Sequence, residues 1–168
     1  GKVLREVLAS CLDAGGVSVG AAYLTEAAGR LVMKAQVGYP EATQEELMEF
    51  FGRTDLLHRA MEQEELIEVP SSQVEDGPAA ELLRQARAKS LLILPLLLNE
   101  ERLGAVVMIS AEKAIERQQI SFANAVRGQI AQAIALSRTL SQIEYQATHD
   151  PLTDLPNRVL LHDRLRQA

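Results

Sequence analysis

The side chains that could do chemistry in this chain are few and widely spaced. Its only cysteine, Cys11, can complete neither an internal disulfide nor a thiol–disulfide cycle, and such cysteine usage is typical of a reducing compartment. His58 is the sharpest polar candidate, because an imidazole can bind a ligand or an iron. No second histidine stands near it in sequence, so a part-exposed helical histidine is the alternative. The acidic run of Glu62, Glu64 and Glu65 indicates a solvated surface, and we predict no catalytic set and no metal site.

The composition argues against several classes of partner. The 168 residues, 47% of them hydrophobic, can bury one good core. A formal net charge of -6 repels phosphate backbones and anionic lipid, and the 4% of aromatic residues provide neither a base-stacking surface nor a membrane belt. No apolar run approaches the roughly 20 residues that span a bilayer, and no signal-peptide pattern opens the chain. We therefore predict a cytoplasmic location, with no nucleic-acid partner and no membrane contact.

The first half of the chain predicts a helix, a hairpin and two short helices. Apolar residues at helical spacing over residues 3–12 indicate an amphipathic helix, which ends at two glycines. Strands over residues 19–25 and 31–37 flank a turn. Simple alternation in the second strand predicts a single buried face, which would carry Leu31, Met33, Ala35 and Val37. Residues 43–51 and 55–64 are predicted to form two short helices.

The second half predicts a short strand, a polar loop, a helix and a second hairpin. These elements fall at residues 66–69, 71–77, 79–88, 91–98 and 103–110. Pro95 lies inside an apolar strand, so we expect an edge or a bulge at which one backbone amide is not needed. Gly104 predicts a close approach of another backbone.

A final helix, predicted over about residues 114–148, is longer than most helices of globular proteins and is typical of a connector. It carries two apolar stripes. One can face the domain and comprises Ile120, Ala123, Ile130 and Ile134. The other follows steps of four and three and comprises Phe122, Val126, Gln129, Ala133, Leu136, Leu140, Ile143 and Ala147. Because the second stripe continues past the domain, we predict a homodimer through paired helices; a single helix packed on its own sheet is the alternative.

Two neighbouring strands carry a family resemblance. Residues 89–96 contain a small residue and an apolar strand with a proline, and residues 102–107 form a glycine-bearing strand after a turn. Together with the order of elements, this pattern resembles the GAF domain over about residues 1–138. The resemblance implies an α+β fold, a GAF-like antiparallel sheet flanked by helices, followed here by a long C-terminal connector helix that would include residues 139–149.

The tail carries a second, more specific resemblance. Its residues Asp150, Leu152, Thr153, Asn157 and Arg158 are similar to the opening turn of GGDEF domains, the diguanylate cyclase family. The resemblance implies that residues 150–168 begin such a domain, whose GTP and Mg²⁺ sites would lie beyond Ala168. We therefore predict no catalysis by this chain and a diguanylate cyclase as its parent, with or without an EAL domain. Asp150 and Arg158 can pair across the turn; two solvated side chains are the alternative.

The GAF resemblance also implies a ligand pocket between the sheet and the helices that cross it. Its wall would include Tyr23, Met33, Phe50, Phe51, Leu57, His58, Met61, Val69, Ser71, Leu82, Ser90 and Ile93. We single out Tyr23, Met33, Phe50, His58, Met61, Ser71 and Ser90 as contacts of an unidentified small molecule. Plain core packing is the alternative for the apolar residues, because helical spacing alone predicts burial.

Three functions follow as hypotheses. The first is a sensory and dimerisation module that relays small-ligand binding through its C-terminal helix to a cyclic-di-GMP enzyme. The second is a ligand-free structural dimerisation domain with a filled core. The third is a haem-binding or chromophore-binding sensor, although Cys11 lies on the apolar face of the first helix and is better explained as an inert thiol. The sequence leaves any cofactor unknown.

Overall fold

A computed structural model of the chain describes residues 2–14, 17, 19–70, 77–111, 114–150, 153 and 155–157. Residues 1–132 form one compact unit and residues 133–168 a second. The helices are α1 (Lys2–Ala14), α2 (Gln44–Met48), α3 (Thr54–Gln63), α4 (Pro78–Gln85) and α5 (Arg117–Thr148). The strands are β1 (Val19–Thr25), β2 (Leu31–Val37), β3 (Ile67–Pro70), β4 (Ser90–Leu98) and β5 (Glu101–Ser110). The predicted order of elements is confirmed.

The five strands form one antiparallel sheet in the order β2-β1-β5-β4-β3. Strand β3 pairs with β4 only from Ser90 to Ile93. At Pro95, therefore, β4 has a neighbouring strand on one side only, and the missing amide of proline leaves no gap in a ladder with β3. The edge-like environment predicted for Pro95 is confirmed.

Gly104 lies where β5 passes very close to β1. It pairs with Leu24 and has a φ of 148°, a backbone conformation that other residues rarely adopt. A Cβ at this position would lie 2.0 Å from the carbonyl oxygen of Tyr23. The predicted close approach of another backbone is confirmed.

One face of the sheet, which we call the cluster face, carries Ala21, Tyr23, Leu91, Ile93, Ala105 and Val107. Buried side chains from α2, α3 and α4 pack against this face, among them Leu47, Leu57 and Leu82. The helices are amphipathic, so each places its apolar side on the sheet and leaves its polar side in solvent. The main hydrophobic core therefore lies between the cluster face and these three helices.

Helix α1 packs on the opposite face of the sheet, against β1 and β2. Leu8 and Leu12 of this helix are buried, and Leu12 lies against Gly20, where an added Cβ would approach its methyl carbons to 3.0 Å. Alternate residues of β4 and β5, such as Leu92, Leu94 and Met108, are buried on this face as well. Both faces of the central strands are therefore covered, which explains the continuous apolar runs of β4 and β5.

A β-bulge in β2 corrects the predicted alternation of that strand. Tyr23 of β1 pairs with Met33 and the preceding Ala22 pairs with Ala35, so Lys34 has no opposite residue. Leu31 and Met33 consequently share the cluster face with Tyr23, whereas Ala35 follows Ala22 to the opposite face. The prediction of one common face was wrong, because an extra residue in one strand reverses every side chain beyond it.

The helix predicted over residues 43–51 is shorter in the structure. Helix α2 ends at Met48, and a 3-10 turn follows at Phe50–Gly52. Phe50, Phe51 and Gly52 have φ values of 50°, 51° and 70°, which no α-helix can contain. In the part of the chain that the structure describes, no helix is long and apolar enough to cross a membrane.

Candidate functional site

Met33 and His58, two of the predicted ligand contacts, line a cleft beside β2 and the start of α3. This cleft, the His58 cleft, has a volume of about 760 Å³. Its walls are formed by Arg30, Leu31, Val32, Met33, Glu45, Met48, Glu49, Gly52, Thr54 and His58. Two carboxylates, a guanidinium and an imidazole therefore surround a partly apolar floor, a set that can hydrogen-bond a polar ligand. Arg30 also forms an ion pair with Glu26 at 3.5 Å.

Tyr23, Phe50 and Met61 form filled core beside this cleft and do not line it. Tyr23 and Phe50 have no exposed surface and Met61 is 4% exposed. The Tyr23 and Phe50 rings meet edge to face, with centroids 5.6 Å apart and an angle of 66° between the ring planes. The Tyr23 hydroxyl donates a hydrogen bond to the Leu47 carbonyl oxygen, and burial raises its pKa. These three side chains come together as packing, so their contact with a ligand stays a prediction.

Ser90 is separated from the other predicted contacts by the sheet itself. It pairs with Ser110, three residues before Ile93 on the same strand, and therefore points away from the cluster face. Its Oγ accepts a hydrogen bond of 2.9 Å from the backbone N–H of Ile115. Side chains three positions apart in one strand, such as Ser90 and Ile93, point to opposite faces. The sequence spacing alone could therefore have excluded a shared pocket wall. Ser71 lies outside the described residues.

The structure also contains a second cleft, which was not predicted from the sequence. This cleft, the Tyr39 cleft, has a volume of about 560 Å³. It is lined by Val19, Gly38, Tyr39, Pro40, Thr43, Glu46, Phe51, Gln85, Ala86, Arg87, Ile109 and Ala111. These residues come from separate segments of the chain, and only Phe51 belonged to the predicted wall. The one local sequence signal near this cleft was the Gly-Tyr-Pro segment that ends β2, which predicts a turn but not a ligand site.

Tyr39 contributes a buried polar group to the wall of this cleft. Its hydroxyl oxygen is buried and has no hydrogen-bond partner among the residues that the structure describes. Burial raises the Tyr39 pKa, and the nearby Tyr23 raises it further, so the phenol stays neutral. A buried hydroxyl without a partner costs about 1–3 kcal/mol.

Arg87, at the mouth of the Tyr39 cleft, has a backbone conformation that favours glycine. Its φ is 51°, and it follows the last turn of α4. The N–H of Arg87 donates to Arg84 O at 3.1 Å, and the N–H of Ala88 donates to Leu83 O at 2.8 Å. This pair of bonds is a Schellman motif, with Arg87 at the position that is usually glycine. A left-handed arginine costs roughly 1–2 kcal/mol relative to an ordinary conformation.

The remaining chemical candidates lie outside both clefts. Cys11 is half-buried on α1, and burial raises the pKa of its thiol, which disfavours the reactive thiolate. Glu62, Glu64 and Glu65 are exposed, as predicted for a solvated surface. Within the described ranges, no group of three or more His, Cys, Asp or Glu side chains is placed to hold a metal ion.

Helix α5 carries the stripe that was predicted to contact a second copy. Leu136, Leu140 and Ile143 have exposed fractions of 62%, 52% and 55%. Phe122, Val126 and Ala133 of the same stripe are half-buried. Large apolar side chains that recur along one helix edge and face water are typical of a surface that binds another helix.

After α5 the chain makes a hydrogen-bonded turn that contains Asp150, Thr153 and Asn157 of the GGDEF-like residues. Oδ1 of Asp150 accepts hydrogen bonds of 3.0 Å from both the backbone N–H and the hydroxyl of Thr153. The Asp150 N–H donates to Leu155 O at 2.8 Å, and His149 forms an antiparallel bridge with Pro156. Leu152 and Arg158 lie outside the described residues, so the predicted pairing of Asp150 with Arg158 stays a prediction.

Asn157 ties this turn to the end of α5. Its side-chain amide donates to Ala147 O and its backbone N–H to Thr148 O, both at 2.8 Å. These bonds satisfy carbonyl groups that a helix end otherwise leaves unpaired. His149 is half-buried, and its ring stacks on Tyr145 with centroids 4.0 Å apart.

Comparisons with known proteins identify the family of this chain and structures that share its fold. A family model described as GAF domain matches residues 1–135. A domain assigned to a two-component sensor histidine kinase protein of Sinorhizobium meliloti is 17% identical, with a TM-score of 0.67, and the match covers 85% of this chain and 95% of that one. A GAF domain of Synechocystis Slr1393 in its photoproduct state is 12% identical, with a TM-score of 0.68 and coverage of 84% and 97%.

A third solved structure extends the range of parent proteins in which this fold occurs. The GAF domain from a phosphoenolpyruvate-protein phosphotransferase of Coxiella burnetii is 21% identical, with a TM-score of 0.65 and coverage of 84% of this chain and 85% of that one. A comparison with curated proteins found no match. At these identities the solved structures establish the fold, and they leave the ligand and the output of this chain to be argued from its own residues.

Proposed function

Because the chain belongs to the GAF domain family, we propose that it is a cytoplasmic regulatory module of a cyclic-di-GMP signalling protein. In this proposal it binds a small ligand, dimerises through α5 and relays the ligand signal to a diguanylate cyclase domain. Residues 1–138 would be the sensor, residues 139–149 the connector, and residues 150–168 the beginning of the GGDEF domain. Catalysis, with GTP and Mg²⁺, would belong to that following domain.

The observation that carries the proposal is the turn after α5. Its Asp150–Thr153 and Asn157–Ala147 hydrogen bonds involve residues of the GGDEF-like sequence motif. Thus residues that are similar to a family motif also have clear structural roles, as expected where a turn of fixed shape joins a connector helix to the next domain.

The exposed stripe of α5 supports dimerisation. Full burial of a leucine or isoleucine stabilises by about 1.5–3 kcal/mol, and Leu136, Leu140 and Ile143 are each roughly half exposed. Each could therefore contribute about 1 kcal/mol per copy in a helix pair. Six such side chains would contribute about 6 kcal/mol in total, which offsets part of the entropic cost of association.

A combined test uses the full-length protein that carries this chain. We expect Leu136→Lys with Leu140→Lys to weaken the dimer in sedimentation and to change the rate of cyclic-di-GMP synthesis. Ser137→Lys with Ser141→Lys is the matched control, because both serines are exposed and lie off the stripe. Deletion of one residue between Ser137 and Gln146 should also change the rate, since it rotates the helix by about 100°. Unchanged association and unchanged synthesis in the stripe variants would contradict the proposal.

A ligand-free dimerisation domain is the second candidate, and one observation favours it. The predicted pocket wall around Tyr23, Phe50 and Met61 is closely packed, and the Tyr23 hydroxyl is already bonded to Leu47. The two clefts beside that core favour the sensory proposal instead. A haem or chromophore sensor is the weakest candidate, and an absorption band in the visible spectrum of the purified protein would be needed to support it.

A further inference from the structure

The Tyr39 cleft combines an apolar floor with a charged mouth. Val19, Phe51 and Ile109 supply the floor, and Glu46 and Arg87 lie among its lining residues. The volume of about 560 Å³ falls in the range of small-molecule sites, which are mostly apolar with a few placed polar groups. Its chemistry therefore suits a small molecule with an apolar part and charged groups.

The two charges at the mouth are available to such a molecule. Glu46 and Arg87 are both exposed, and the ion pairs found among the described residues involve neither of them. A guanidinium binds a carboxylate through two parallel hydrogen bonds, and a carboxylate accepts hydrogen bonds from an ammonium group. Since the two formal charges cancel, the mouth as a whole selects neither an anion nor a cation.

Arg87 keeps a charged side chain at a backbone position where glycine would be less strained. It occupies the glycine position of the Schellman motif at the end of α4, with a φ of 51°. Phe51, which also lines the cleft, is likewise left-handed, with the same φ. Strained backbone in bulky residues clusters at ligand sites, where the side chain is needed in a fixed direction.

We propose that the Tyr39 cleft binds a small zwitterion of the α-amino-acid type with an apolar side group. The ligand carboxylate pairs with Arg87, its ammonium group pairs with Glu46, and its side group packs against Val19, Phe51 and Ile109. This inference rests on the proposed ligand-sensing function and specifies the ligand class for it.

The test separates the two charged groups of the ligand with three probes. L-leucine carries both groups, 4-methylpentanoate lacks the ammonium group, and 3-methylbutylamine lacks the carboxylate. Each probe is titrated into the chain and followed by NMR. The variants are Arg87→Gln and Glu46→Gln, and the controls are Arg84→Gln and Glu62→Gln, which remove the same charges outside the lining of both clefts.

We expect wild type to bind L-leucine more tightly than either singly charged probe. Arg87→Gln should weaken L-leucine and 4-methylpentanoate about tenfold, which corresponds to about 1.4 kcal/mol, and leave 3-methylbutylamine unchanged. Glu46→Gln should weaken L-leucine and 3-methylbutylamine and leave 4-methylpentanoate unchanged. The two control variants should bind all three probes as wild type does, because their charges lie on α4 and α3, outside both clefts.

Three results would overturn the inference: no binding of L-leucine at millimolar concentrations, equal losses for all three probes in each variant, or equal losses in the controls. Replacing Ala86, which lines the cleft, by leucine is a second check, and it should abolish binding of every probe. Failure of these tests removes the ligand class and leaves the stripe variants of α5 to decide the proposed function on their own.

Discussion

The replacement Gly104→Ala should disrupt the sheet at its centre. Gly104 lies on β5 opposite Leu24 of β1, in the middle of the five-stranded order. An added Cβ would meet the Tyr23 carbonyl oxygen at 2.0 Å and the Leu24 Cα at 2.8 Å. Both atoms belong to backbone that is held in the ladder, so no side-chain rotation can relieve the contact.

Two effects contribute to the expected loss. The φ of 148° strains any residue with a Cβ, at about 1–3 kcal/mol. Overpacking against a rigid neighbour adds about 1–3 kcal/mol, because β1 and β5 must move apart at this register. The sum, about 2–6 kcal/mol, is a large part of the roughly 5–15 kcal/mol that stabilises a typical domain.

Urea unfolding followed by circular dichroism measures this loss, with two glycines for comparison. Gly128 of α5 has nothing within 4 Å of an added Cβ, so Gly128→Ala should stabilise by about 0.5–1 kcal/mol. Gly20→Ala should fall between the two, since its Cβ meets the Val107 carbonyl oxygen at 2.9 Å but otherwise only the movable methyl groups of Leu12. A loss below about 1 kcal/mol for Gly104→Ala, or the reverse order of the three variants, would refute the reasoning.

Three further outcomes are expected. Arg87→Gly should raise the free energy of unfolding by about 1 kcal/mol in urea titrations, because glycine adopts the left-handed Schellman position without strain; a loss would contradict this. Tyr39→Phe should be neutral or stabilise by up to about 1–3 kcal/mol, since it removes a buried hydroxyl without a described partner; a clear loss in the same assay would reveal a missing partner. Folding raises the pKa of Tyr23 and Tyr39, so the folded state should lose stability as the pH rises above the ordinary tyrosine pKa of about 10. Ultraviolet titration and circular dichroism over the same pH range measure this, and ionisation of both rings before the helical signal is lost would contradict it.

The sequence predicted the features of the fold that depend on local chemistry. The glycine at position 104 and the proline at position 95 have few uses inside strands, and the structure confirms the environment inferred for each. The order of helices and strands followed from apolar periodicity in α3 and α4 and from the continuous apolar runs of β4 and β5. These signals can be recognised without knowing which segments of the chain contact each other in the folded protein.

The sequence could not predict features that depend on pairing between distant segments. The bulge at Lys34 exists because of the register between β1 and β2, and nothing in the alternating pattern of β2 marks it. The left-handed Phe50 and Phe51 break a helix that their residue types would otherwise permit. The Tyr39 cleft is assembled by the same kind of long-range contact, which explains why only one of its lining residues was proposed.

The filled core and the clefts beside it are compatible with a single function. Several left-handed non-glycine residues, such as Ala28 and Asn99, lie in exposed turns between elements, where this conformation is common. Phe50 in the core and Glu64 at the end of α3 are left-handed as well, whereas Phe51 and Arg87 combine this conformation with a place in the lining of the Tyr39 cleft. In a purely structural domain, replacing Arg87 by glycine would increase stability and would leave the packing of the core unchanged. Retention of strained side chains beside a well-packed core is therefore easier to explain if the core supplies stability and the cleft binds a ligand.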